Sequence, residues 1–172
     1  FPSIYGMMMS AGSTARRPGP AEKARGPGGG RRKGRAVRME IFKNIPAVRY
    51  EGAESKNPLA FKFYDADKVV FGKTMREHLP FAMAWWHNLC ATGTDMFGRG
   101  TADKSFGAQE GTMEHARAKV DAGFEFMQKL GIRYFCFHDV DLVPEADDIK
   151  VTNARLDEIS DYILEKMQGT GI

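Results

Sequence analysis

Cysteine is nearly absent: Cys90 and Cys136 are the only two in 172 residues. They cannot build a disulfide framework, so the chain reads as belonging to a reducing compartment, the cytoplasm. No apolar run approaches the roughly 18 residues of a membrane-spanning helix. Met7-Met8-Met9 is too short for the apolar core of a secretory signal. No GxGxxG follows an apolar run, which leaves a dinucleotide-binding fold without support. Acids are nearly missing from residues 1–38, which hold Glu22 alone against nine Lys and Arg, a charge of +8. Residues 39–172 carry 16 bases and 21 acids, a charge of −5, so the overall +3 describes neither part.

The leader also holds eight of the 19 glycines and four of the eight prolines. Such a composition buries too little apolar surface to offset its chain entropy, and residues 1–38 are expected to be disordered. Three readings of it compete. A nucleic-acid-binding arm suits the clustered Arg, but no aromatic interleaves them and the remainder is acidic. An organelle-targeting peptide suits an Arg-rich, acid-poor segment. Read-through of upstream sequence or a cloning scar is the favoured reading, with the natural start at Met39. The chain opens on Phe1 and closes on Gly169-Thr170-Gly171-Ile172, and both ends are expected to be cut.

What is present is a packable chain, 42% hydrophobic and 27% charged, a balance typical of globular domains. Residues 40–75 read as irregular, broken by Pro46, Gly52, Pro58 and Gly72. Phe81 to Trp86 form a continuous apolar run, predicting a strand buried on both faces. A glycine-rich loop follows, and then Met113, Ala116, Val120, Phe124 and Met127 mark one face of a helix ending at Gly131. Tyr134 to Phe137 predict a second strand that stops at His138-Asp139-Val140-Asp141. A further helix carries Leu156, Ile159, Ile163 and Met167 and is expected to end at Gly169. Ile172 would begin a third strand.

Strand, helix, strand, helix is the pattern of a parallel α/β fold, either a doubly wound sheet or a (β/α)8 TIM barrel. A whole barrel needs about 250 residues. Residues 39–172 would hold its first two βα units and the start of a third strand. With sheet edges and helix faces uncovered, they are expected not to fold stably alone.

His138 and Asp141 follow a strand at its carboxyl end, where parallel α/β folds build sites. A carboxylate three residues on can accept from the ring Nδ1–H, fix the tautomer and leave Nε2 free for a proton. Asp139 should project elsewhere. The pair by itself leaves three readings open: a solvated loop with a helix-capping acid, a His/Asp metal site, or acid–base chemistry. Strand alternation would put one of Trp85 and Trp86 at a barrel mouth and the other under a helix, although paired tryptophans in a strand more often belong to the core than to a ligand wall. Phe97, between glycines in the loop Gly93 to Gly98, is either a loop anchor or an aromatic inserted into another subunit or a ligand. His78, His87 and His115 show no metal-ligand spacing.

The segments Arg49-Tyr50-Glu51-Gly52, Asn57-Pro58-Leu59-Ala60-Phe61 and Gly72-Lys73-Thr74-Met75 resemble the N-terminal region of xylose isomerase, in its longer class with an extra N-terminal segment. The likeness continues through Phe81 to His87, Gly93 to Gly98, Phe124-Glu125-Phe126 and Cys136 to Asp141, covering essentially all of 39–172 in order. It implies a fragment of a (β/α)8 aldose–ketose isomerase converting xylose to xylulose, with glucose to fructose as a slower reaction. His138 would pass a proton at the sugar ring oxygen and Asp141 would orient it. Trp86 would supply an apolar wall that excludes water, and Phe97 would enter the neighbouring subunit's site in a homodimer or homotetramer.

The resemblance also implies two divalent ions, Mg, Mn or Co, that polarise the sugar for a 1,2-hydride shift. Their ligands in the family pattern lie on later strands, so no metal ligand is expected here and the 172-residue chain is expected to be inactive. Neither a nucleic acid nor a membrane is an expected partner. Two other readings stand beside this one. A phosphoesterase on the same barrel is disfavoured by the lack of bases around His138. A non-catalytic binding module with a basic arm would show nucleic-acid binding that is lost on removing 1–38.

Overall fold

The computed structural model describes residues 40–172. The leader 1–38 and the start at Met39 lie outside the described residues.

Residues 40–64 run without helix or strand, held by backbone bonds such as Glu51 N–H to the Phe61 carbonyl at 3.0 Å and Phe61 N–H to that of Arg49 at 2.9 Å. The beginning of this stretch is strapped to the rest by side chains. Glu125 accepts from Ile41 N–H at 2.8 Å and Phe42 N–H at 3.0 Å. Lys129 donates to Glu40 and to the carbonyls of Phe42 and Ile45. A small hairpin follows, β1 (Val69–Val70) against β2 (Lys73–Thr74). Its two turn residues, Phe71 and Gly72, are both left-handed at φ 49° and 79°, the backbone that matches a two-residue turn to strand twist. Thr74 then caps α1 (Met75–His78), with Glu77 reaching back to the Thr74 N–H at 2.7 Å.

The centre is a βαβ unit. β3 (Ala82–Ala84) and β4 (Tyr134–Cys136) pair in parallel, with Met83 opposite Phe135, and α2 (Met113–Leu130) lies in the connection. A four-residue helix, α3 (Asp139–Leu142), follows β4. The chain then enters α4 (Ile149–Thr170), which packs on α2. α2 begins at Thr112, whose side chain accepts from His115 N–H at 3.1 Å. It stops at Gly131, left-handed at φ 69°, with Ile132 N–H on the Met127 carbonyl at 2.9 Å. Its apolar stripe buries Ala116, Val120, Phe124 and Met127 against Met83, Trp85 and Leu89 on one side and Ile159 and Ile163 on the other. Gly123 belongs to the same seam: a Cβ there would lie 2.9 Å from Leu89 Cδ1 and 3.1 Å from Trp85 Cη2.

Four expectations are corrected. The first strand ends at Ala84, because Trp85 is already right-handed helical (φ −60°, ψ −46°) and Trp86–Cys90 form a π-helical turn. Strand alternation therefore does not govern the two tryptophans. β3 is not buried on both faces: Met83 is buried against α2 while Ala82 stays exposed, since α2 packs on one face of the strand only. The last helix runs past Gly169 and ends at Gly171, the residue that takes the left-handed conformation (φ 71°) and donates to the Met167 carbonyl at 3.0 Å. Ile172 forms no strand and packs instead against the apolar core. The fold is thus α/β with one parallel strand pair, and two strands do not make a barrel. No helix among the described residues is long and apolar enough to cross a membrane.

Candidate active site

His138 stands where β4 ends, in extended backbone (φ −100°, ψ 160°) at the N-cap of α3. That single turn of helix brings Asp141 back over it. Asp141 Oδ2 accepts from the His138 backbone N–H at 2.8 Å and lies 3.1 Å from the ring Nδ1. An ionised carboxylate can only accept, so the neutral ring must carry its proton on Nδ1 and present the Nε2 lone pair outward. Exposure differs sharply across the pair, 62% for the His138 side chain against 8% for that of Asp141. The buried partner fixes the exposed one. Asp139 takes no part, its carboxylate accepting from the neighbouring Val140 N–H at 2.9 Å.

The π-helical turn supplies the wall. Trp85 is fully buried on Phe135 and Phe137, with ring centroids at 5.4 and 6.0 Å. Trp86 is carried round to the other side, its ring 4.6 Å from that of His138 at an interplanar angle of 41°. Trp85 thus lies in the core and Trp86 beside His138, and a helical turn rather than strand alternation separates them. Successive side chains of a helical turn point in different directions around its axis, so neighbouring indoles need not share a face.

Phe97 is not brought to His138. It projects from the loop tip with 90% of its surface exposed, and its backbone N–H is held by Asp95 Oδ1 at 2.8 Å. His78 and His115 bond backbone carbonyls, those of Val70 and Lys104, each at 2.8 Å. His87 lies against Trp86 at 5.6 Å.

Two residues near the site were assigned no role by the sequence. Lys119, half-buried on α2, donates to the backbone carbonyl of Asp141 at 2.9 Å, and the Cys90 thiol lies 3.7 Å from the same oxygen. Burial pushes the Cys90 thiol up from its ordinary pKa, which makes it a packing group rather than a nucleophile. The available signal was weak: a lone lysine beside Val120 on the edge of an apolar stripe. Among the described residues no group of three or more His, Cys, Asp or Glu is placed to hold a metal ion.

No protein-family model matches the chain. Comparison with individual proteins is more informative. The chain is 53% identical over 133 residues to a xylose isomerase of Phocaeicola vulgatus, which is 77% of this chain and 30% of that protein. It is 51% identical over the same length to one of Bacteroides fragilis, and 45% identical over 130 residues to one of Caldicellulosiruptor bescii. About three quarters of the chain is thus homologous to xylose isomerases, and it spans about 30% of the length of the curated relatives it matches.

Proposed function

We propose that residues 40–172 supply the ring-opening pair and part of the sugar pocket of a cytoplasmic (β/α)8-barrel aldose–ketose isomerase. Its substrate is xylose, converted to xylulose, with glucose to fructose as a slower reaction. One observation carries this reading: Asp141 holds His138 Nδ1 at 3.1 Å beneath Trp86, within a stretch about half identical to xylose isomerases.

In this reading His138 Nε2 exchanges a proton at the ring oxygen of the cyclic sugar. Asp141 keeps the reactive nitrogen outward and stabilises the imidazolium that forms when Nε2 takes up a proton. Trp86 covers one side of the ring and keeps water from competing for that proton. Phe97, free at its loop tip, reaches into the site of a neighbouring subunit in a homodimer or homotetramer. Two divalent ions, Mg, Mn or Co, would supply the charge stabilisation for the hydride shift. The residues described here do not fit such ions. The chain by itself is inactive.

The test is a chimera in which residues 40–172 replace the matching stretch of the Phocaeicola vulgatus enzyme, assayed for xylulose formation with Mg and Mn. Activity is expected. The same chimera carrying His138→Asn should lose about 10²–10⁴-fold in turnover of the cyclic sugar, the usual worth of a positioned acid–base group. A folded, metal-loaded chimera without activity would overturn the reading. So would a His138→Asn form as active as its parent.

A further inference from the structure

The geometry points to Lys119 as a positioning residue, a clamp that joins the two walls of the His138 site from behind. This rests on the proposed role of His138 and Asp141 and adds to it the group that holds them in register. Three elements meet at one ammonium. Lys119 belongs to α2, donates to the Asp141 carbonyl of α3 at 2.9 Å, and lies 3.8 Å from the Cys90 sulfur in the π-helical turn. α3 carries the carboxylate that fixes the imidazole, and the π-helical turn carries the indole that covers it.

The physical need for a clamp is local. A helix of four residues makes almost no intrahelical bonds, so its carbonyls have to find partners elsewhere. The carbonyl of Asp141 has two donors, the Lys119 ammonium and, more distantly, the Cys90 thiol at 3.7 Å. A thiol is a weak donor. Without the lysine, a buried carbonyl is left almost unpaired, and the turn would rotate to hydrate it. Because the carbonyl and the carboxylate belong to one residue, that rotation draws Oδ2 away from both His138 nitrogens. The indole can shift too, since Cys90 is the last residue of the turn that begins with Trp86.

The test is read on the chimera described above, whose host strands and helices cover the open edges and faces of residues 40–172, by ¹⁵N–¹H correlation of the imidazoles, with His138 assigned by its absence in His138→Gln. In the parent chain, the Nδ1–H tautomer should dominate and the ring protons should be shifted upfield by the Trp86 ring current. Lys119→Met keeps the aliphatic stem and removes the donor. The Nδ1–H form should then fall about fivefold relative to Nε2–H, as expected for weakening one hydrogen bond, and the ring-current shift should shrink. Lys119→Arg, which can still donate, should restore most of both signals. Arg117→Met is the control, because it deletes a cation of the same helix whose partner is Glu158 at 2.9 Å, and it should leave His138 unchanged.

If Lys119→Met does not fold, Lys119→Gln takes its place with the same readout. A folded Met or Gln variant with His138 signals identical to the parent would overturn the proposal. Loss of folding in both variants, or an equal change in Arg117→Met, would also overturn it by making the lysine a general support. None of these signals needs turnover, so an inactive isomerase chimera would defeat the functional reading and leave this one standing.

Discussion

A single oxygen of Asp141, Oδ2, takes both hydrogen-bond donors of His138, the backbone N–H at 2.8 Å and the ring Nδ1–H at 3.1 Å. The helix cap and the imidazole are therefore one construction. Asp141→Ala removes the one acceptor of both bonds and should lower unfolding stability by about 1–3 kcal/mol, the range for leaving partly buried donors unpaired. Urea denaturation of the chimera would measure it. The His138 resonances should move in the same variant toward a mixed population of tautomers. An unchanged urea midpoint would mean that the carboxylate holds nothing.

How much of this was legible depended on the reach of each interaction. The helix at Met113–Leu130 could be read from its stripe and from Gly131, because both are local features of 3.6-residue periodicity and backbone chirality. The pairing of His138 with Asp141 was legible for the same reason, being a contact three residues apart. The conformation of Trp85 and Trp86 was not. Six consecutive apolar residues suit a strand or a buried helix equally, and the turn to a π-helix after Ala84 is a matter of packing on α2. Lys119 was hidden because its partner lies 22 residues away. The last helix was expected to stop at Gly169, and Gly171 lies two residues on. Only the second takes the left-handed backbone, which composition cannot distinguish.

Gly123 tests the packing beneath the site. Alanine there would favour the helix by about 1 kcal/mol through propensity alone. Against this stands a methyl group 2.9 Å from Leu89 Cδ1 and 3.1 Å from Trp85 Cη2, two side chains with essentially no exposed surface. Leu89 can rotate slightly, but the indole of Trp85 is rigid and boxed in by Phe135 and Phe137. Overpacking a tight core costs about 1–3 kcal/mol, so Gly123→Ala should be destabilised on balance despite the better helix former. The near-ultraviolet circular dichroism of Trp85 should change with it. A variant more stable than the parent would show that the seam yields.

The second helix seam sets an alkaline limit on the fold. Tyr162 on α4 donates to both carboxylate oxygens of Asp121 on α2, at 3.0 and 3.1 Å, and Lys166 pairs with the same carboxylate. Burial, with Asp121 adding to it, raises the Tyr162 hydroxyl above its ordinary 10.0. Burial alone would lower Lys166, but the hydrogen bonds with Asp121 and Tyr162 override it and raise it above 10.5. Both groups hold their protons more tightly folded than unfolded. The stability they contribute is therefore complete below about pH 10 and lost as pH rises through the folded values. Urea midpoints should accordingly be level from pH 8 to about pH 10 and fall beyond it. Asp121→Asn removes a charge that helps to hold both protons, so it should start lower at pH 8 and fall less steeply at high pH. An equally steep alkaline fall in that variant would place the limit elsewhere in the molecule.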